Sequence, residues 1–125
     1  MTAPIELHAT VLCHQADRIL FVRKEAPEWS LPGGKIEVNE LPVEAARREL
    51  REETTLPFEN AQFLGRHVFE AEDHHFYRMA VPESLEPHPD GEIVECRWFT
   101  LDELGSVSVK PTNMALLRLH GEKIQ

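Results

Sequence analysis

The stretch that decides the reading is Trp29-Ser30-Leu31-Pro32-Gly33-Gly34-Lys35-Ile36-Glu37-Val38-Asn39-Glu40-Leu41-Pro42-Val43-Glu44-Ala45-Ala46-Arg47-Arg48-Glu49-Leu50-Arg51-Glu52-Glu53-Thr54-Thr55-Leu56. Its second half predicts a helix that opens at Leu41-Pro42, where proline suits a first helical position, and ends before Pro57. On that helix Glu49, Glu52 and Glu53 fall within one arc of about 100°. Like charges at this spacing cost roughly 0.2–0.5 kcal/mol each, and glutamates at the C-terminal end also oppose the helix dipole. Two readings follow: a solvated charged face laced with Glu44–Arg48-type pairs, or a metal site. Ala45 and Ala46, one turn earlier on the same side, leave room for another backbone, and Pro32-Gly33-Gly34 is built for close approach. A loop carbonyl can then join the carboxylates. Such all-oxygen ligation selects hard cations, of which Mg²⁺ is typically completed by waters and substrate phosphates.

Outward from this stretch the pattern is one of strands. Residues 5–13 alternate Ile5, Leu7, Ala9, Val11 and Cys13 on one face with Glu6, His8 and Thr10 on the other, and Arg18 to Arg23 is a second apolar strand. With the turn Gln15-Ala16-Asp17, residues 5–23 predict a hairpin. Glu25 to Glu40, with Pro27, Pro32, Gly33 and Gly34, reads as a loop. Beyond Pro57, Gln62 to Glu70 and His75 to Val81 are expected as strands separated by the turn Ala71-Glu72-Asp73. Ile93 to Phe99 is a further strand, and Leu101 to Leu104 a helical turn. Thr112 to His120 is a final amphipathic helix packing through Met114, Leu117 and Leu119.

Composition bounds the partners. The 125 residues carry 22 acidic against 13 basic side chains, a formal charge of −9, with 42% hydrophobic residues. That is one globular domain, 1–125, rather than a disordered chain. The acidity and the absence of a Lys/Arg cluster argue against a nucleic-acid polymer as partner. No apolar run approaches the ~20 residues needed to cross a bilayer, and Met1 to Glu6 has no basic or apolar leader pattern, so no membrane partner and a cytoplasmic location are expected. Cys13 and Cys96 form no C-x-x-C and read as buried thiols. None of the seven histidines pairs at metal-ligand spacing, and they read as surface residues.

Gly34, five residues, Glu40, seven residues, Arg48-Glu49-Leu50, one residue, Glu52-Glu53, one residue, Thr55-Leu56 resembles the Nudix box, G-x5-E-x7-R-E-U-x-E-E-x-G-U with U bulky and aliphatic. Eight of the nine specified positions agree over these 23 residues. Trp29 to Glu37 and Trp98-Phe99-Thr100-Leu101-Asp102-Glu103-Leu104 are similar to the family's flanks, and the strand order fits its fold over essentially the whole chain. The departure is Thr55, where the family has a glycine whose role would be a left-handed helix cap. The resemblance implies an α+β fold, an α/β/α sandwich: a mixed central sheet with the Nudix loop-helix and a C-terminal helix packed on it.

It further implies a pyrophosphohydrolase that cleaves a small-molecule nucleoside diphosphate linked to another group, with Mg²⁺ or Mn²⁺, as a monomer or homodimer. Glu52 and Glu53 match metal ligands, joined by the Gly33 carbonyl; Glu49 matches a ligand or general base. Arg48 would orient Glu49, and Glu40 would hold Arg48 or reach the metal through water. Glu92, with Glu95 as the second choice, is the candidate for an acidic catalytic residue outside the box. Arg23, Lys24 and Lys35 are candidate phosphate contacts. Trp29, Phe76 and Tyr77 could stack on a base, with core packing as the competing role and Phe76 retained as a substrate-binding candidate. Pro111-Thr112-Asn113 is similar to a segment of the MutT group whose asparagine contacts an oxidised purine. Asn113 therefore either reads a purine or oxidised purine triphosphate such as 8-oxo-dGTP, or caps the helix. The alternatives in function are a catalytically weak module of this fold that binds a nucleotide or metabolite, and a metal-free acidic interaction domain that would leave the box unexplained.

Overall fold

In the computed structural model, which describes residues 4–120, seven strands form one mixed sheet. They are β1 (Glu6–Gln15), β2 (Arg18–Arg23), β3 (Trp29–Ser30), β4 (Gly33–Lys35), β5 (Gln62–Phe69), β6 (Glu72–Ala80) and β7 (Glu95–Thr100). The helices are α1 (Pro42–Thr54) and α2 (Pro111–His120), with a 3₁₀ turn at Glu103–Ser106. The path runs β3-β2-β1-β6-β5, with β4 added to β1 and β7 to β2. Among the described strand pairs only β1 and β6 run parallel, in register from Glu6↔Glu72 to His14↔Ala80. The other edge of β1 is divided: β2 pairs at His14 and Gln15, while β4 pairs at His8 to Thr10.

Each face of the sheet carries its own apolar cluster. Ala9, Val11, Cys13, Tyr77 and Met79 pack with Ala45, Ala46 and Leu50 of α1 on one side; Leu12, Phe21, Phe76 and Phe99 pack with Leu116 and Leu117 of α2 on the other. This is the expected α/β/α sandwich. Because helices cover both faces of β1, its polar face is not solvated: His8 and Thr10 are buried along with Ala9 and Val11. A central strand buries both faces, so alternation along it separates polar from apolar packing rather than water from core.

Several boundaries differ from the sequence reading. The loop 25–40 contains β3 and β4, too short to show periodicity. The β5–β6 turn falls at Glu70-Ala71, with Glu70 at φ 53°, and β6 begins at Glu72. On α2, Leu116 and Leu117 are buried and Met114 packs partly against them, whereas Leu119 is exposed. Cys13 is buried as expected, but Cys96 only half so. Asn113 caps nothing: it lies inside the first turn of α2, and its Oδ1 accepts the Leu31 N–H at 2.8 Å, tethering the helix to the segment before β4. Glu44 accepts the Leu41 N–H at 2.8 Å instead of pairing with Arg48.

The C-terminus of α1 is closed by tertiary contacts. The Glu53 and Thr54 carbonyls accept the Asp90 and His88 N–H groups, so the proline-rich connection after β6 covers carbonyls that the helix leaves open. Thr55 takes the left-handed conformation, φ 63° and ψ 2°. A β-branched residue is strained there by about 1–2 kcal/mol. Thr55→Gly is therefore expected to stabilise the protein by about 1 kcal/mol, raising Tm by about 4 °C in thermal denaturation. Asn113→Ala is expected to cost about 1–3 kcal/mol in the same assay, because the buried Leu31 N–H loses its acceptor.

Candidate active site

Where β4 ends short beside β1, a cleft of about 680 Å³ opens, and Glu49, Glu52 and Glu53 reach it from α1. Two glycines set the distance between helix and strand. Gly33 has φ 154°, and a Cβ there would sit 2.3 Å from the Ala9 carbonyl oxygen; a Cβ on Gly34 would meet the Glu49 carboxylate at 2.6–2.8 Å. The Glu49 carboxylate thus lies in the space that a side chain on Gly34 would fill. Glu53 Oε1 accepts the Gly33 N–H at 2.9 Å.

Arg48 holds this acidic face together without lining the cleft. Its Nε and one terminal nitrogen donate to the two oxygens of Glu40 at 2.7 and 3.0 Å, and that same nitrogen donates to the Lys35 carbonyl at 3.1 Å. The other nitrogen donates to Glu49 at 2.7 Å and to Glu52 at 3.4 Å. The guanidinium, together with the Glu37 N–H, holds the Glu40 carboxyl down at about 2. Glu53 goes the other way, pushed up to about 8 by burial, with Glu49 and Glu52 adding to the effect against the Gly33 N–H and Lys24. Burial beside two other acidic groups therefore disfavours the charged form of Glu53 until a cation offsets it. The three acidic side chains on the α1 wall make an oxygen set suited to a hard divalent cation, so the residues fit such an ion.

The remaining candidates divide. Lys24, Lys35, Glu92 and Asn113 line the cleft; Glu92 is an exposed rim residue 3.3 Å from Lys24 Nζ. Arg23 does not line it, pairing with Glu95 at 2.9 Å and lying over the Trp29 ring, which also places Glu95 outside. Phe76 is fully buried in the α2-side cluster, and Trp29 and Tyr77 are core residues too, so none of the three presents a ring to the cleft. Broad apolar rings are more completely removed from water under the covering helices than at a cleft wall.

Sequence reasoning missed the opposite wall. His8, Thr10, His74 and Lys110 line it, and His8 stacks on His74 with ring centroids 5.0 Å apart. His8, His74 and His120 are buried, against the expectation of surface histidines. The available signal was the polar series Glu6, His8, Thr10 running into apolar Leu12 on one face of a strand. Glu6, His8 and Glu72 bring ligand-type atoms within 4.8 Å of one another. Lys35 Nζ lies 2.8 Å from Glu6 and Lys110 Nζ 3.5 Å from Glu72, so ammonium groups already supply positive charge there.

Glu53 makes stability depend on pH. A carboxyl raised in the fold from 4.5 to about 8 binds its proton more tightly folded than unfolded, so stability falls as pH rises across that interval. Glu53→Gln is thus expected to raise the Tm of the metal-free protein, by more at about pH 8.5 than at about pH 5, in thermal denaturation with EDTA.

Comparison with known proteins agrees with this geometry. A family model described as NUDIX domain matches residues 5–118. The Escherichia coli (strain K12) protein Phosphatase NudJ is 35% identical over 109 residues, spanning 78% of this chain and 71% of that protein. Among solved structures, a nudix hydrolase family member from Chromobacterium violaceum superposes with a TM-score of 0.84 at 25% identity, covering 98% of this chain and 80% of that one. A bifunctional NMN adenylyltransferase/ADP ribose pyrophosphatase from Francisella tularensis, complexed with AMP and a Mn ion, shares the fold with a TM-score of 0.77 at 21% identity, over 98% of this chain and 42% of that one. With the family model spanning nearly all of the described sheet and both helices, and the box carboxylates gathered in one cleft, the chain belongs to the Nudix hydrolase family.

Proposed function

We propose that the chain hydrolyses a phosphoanhydride bond in a nucleoside diphosphate linked to another group, with Mg²⁺ or Mn²⁺ held by Glu52, Glu53, Glu49 and the Gly33 carbonyl. The observation that carries this reading is the convergence of Glu49, Glu52 and Glu53 on one cleft while Arg48 is spent on Glu40, Glu49 and Glu52. When bound, the cation supplies neutralisation of phosphate charge and a better nucleophile from water.

The protein's own groups do the rest. Gly33 and Gly34 let the strand backbone come close enough to the carboxylates for the Gly33 carbonyl to join them around one cation. Arg48 fixes the Glu49 carboxylate by a charge-assisted hydrogen bond, which orients it as ligand or as general base toward water. Lys24 and Lys35, on the cleft lining, meet phosphate oxygens of an incoming ligand. Glu92 stands on the rim as the acidic residue outside the box, and its separation from Lys24 on binding would free both groups. The AMP bound by the Francisella relative supports a nucleotide as the class of ligand.

The pairing of Asn113 changes how a base can be read. With Oδ1 accepting from Leu31, the amide N–H donors are the part of Asn113 that no protein group engages in that bond. A purine carbonyl is a suitable acceptor, and purine nucleoside triphosphates, 8-oxo-dGTP among them, are the first substrates to test. A binder without catalysis is the other reading; the repulsive carboxylate cluster, which binding alone does not need, favours the enzyme.

The test is phosphate or pyrophosphate release from nucleotides, dinucleotides and nucleotide sugars, with Mg²⁺ or with EDTA. Hydrolysis of at least one compound is expected in Mg²⁺ and none in EDTA. Glu53→Gln, which keeps shape and loses charge, is expected to lower kcat by at least ~100-fold. Full activity in EDTA or in that variant would overturn the assignment.

A further inference from the structure

The wall facing the carboxylates contains a series of hydrogen bonds whose direction is determined by chemistry. Glu72 Oε1 lies 2.8 Å from His74 Nε2, and His74 Nδ1 lies 2.8 Å from Thr10 Oγ1. Burial raises the Glu72 carboxyl, but the His74 hydrogen bond and the Lys110 and His8 charges outweigh it and hold the group below its ordinary value, so it is ionised. An ionised carboxylate only accepts, so the proton of the neutral imidazole sits on Nε2. Burial also holds His74 below the ordinary histidine value, in favour of that neutral form. His74 Nδ1 is then a lone pair, and the Thr10 hydroxyl must donate to it. Its proton spent inward, Thr10 can offer the cleft only acceptor lone pairs. Asn113, on the same cleft, turns its oxygen to the Leu31 N–H and keeps its amide N–H donors for a ligand.

We infer that the Glu72–His74–Thr10 series is a specificity device: it holds the Thr10 hydroxyl as an acceptor toward the cleft and selects a ligand whose heterocycle carries an exocyclic amino group, with a carbonyl or ring nitrogen for Asn113. Opposite Thr10 an amino group finds a partner, whereas a carbonyl in that place meets lone pair against lone pair. Sites that hydrogen-bond a ligand group discriminate strongly because the unmatched buried group is left unpaired. His8, stacked on His74, walls the ring in place. Glu72 touches no ligand in this account and acts as a positioning residue. The inference rests on the nucleotide reading of the same cleft.

A substitution at Glu72 reads the device directly. In Glu72→Gln the amide can turn its oxygen to Lys110, which already faces Oε2 at 3.5 Å, and its N–H to His74. Nε2 must then accept, the ring proton moves to Nδ1, Thr10 accepts it, and the hydroxyl proton turns to the cleft. The acceptor becomes a donor with almost no change in shape.

The experiment measures kcat/KM in Mg²⁺ for GTP against ITP and for CTP against UTP, pairs that differ in an exocyclic amino group. The same four are titrated calorimetrically into Glu53→Gln. Wild type is expected to favour the amino-bearing member of its better pair by at least tenfold, through KM. Glu72→Gln and Thr10→Val are each expected to reduce that ratio to below threefold. A wild-type ratio near one, or a ratio unchanged in a folded Glu72→Gln, overturns the inference while leaving hydrolysis intact. Binding with the expected preference but without hydrolysis of any tested diphosphate overturns the enzymatic reading and leaves the device standing. If none of the four is bound or hydrolysed, the device is overturned.

Discussion

The guanidinium of Arg48 is the interaction on which the site depends. Four glutamates and the Lys35 carbonyl surround one planar cation, and without it Glu49 and Glu52 of α1 and Glu40 of the preceding loop would be left in mutual repulsion. A guanidinium can do this because its donors are fixed in a fork that meets several oxygens at once, which an ammonium on a flexible stem does not match. Arg48 does not reach Glu53. The carboxyl that remains unrelieved is the one half-buried against the Gly33 N–H, where burial and two neighbouring acids disfavour its charged form.

The cleft itself follows from the divided edge of β1. A single long partner strand would have sealed that edge. Instead β2 holds one end, β4 the other, and the Pro32 carbonyl accepts the Val11 N–H between them. The backbone of β4 can approach both β1 and α1 because Gly33 and Gly34 have no Cβ to collide with Ala9 or with Glu49. Fold and site are therefore coupled at these two residues: the spacing that completes the sheet also brings the carboxylates beside the backbone.

The two walls of the cleft use charge differently. The α1 wall concentrates carboxylates that lack enough cations, whereas the β1–β6 wall balances each charge: Glu6 with Lys35, Glu72 with Lys110, and His74 satisfied at both nitrogens. The first arrangement attracts a cation. The second has no surplus to attract one and instead presents hydrogen-bonding groups of defined polarity. Asn113 belongs with this second wall, since its bond to Leu31 both anchors α2 and orients its amide.

The box, its helix and the hairpin of β1 and β2 were legible in sequence because each is a local pattern: helical spacing, proline at a first turn, alternation along a strand. Helical spacing grouped Glu49, Glu52 and Glu53, and the family resemblance suggested Lys24, Lys35, Glu92 and Asn113; all seven line the cleft. The resemblance also identified the odd position at Thr55, since helix end and expected conformation are both local, and the backbone there is left-handed. Only the tertiary structure decided which aromatic rings are core, that Arg23 is spent on Glu95, and that Asn113 is a tether rather than a cap. It alone brought His8 and Thr10 beside His74, because that depends on the parallel register of β1 with β6, strands separated by more than fifty residues of chain. Local propensity carries no information about such pairing: it is chosen by how two helices cover both faces of one central strand, which buries a polar row that the sequence presents as a solvent face.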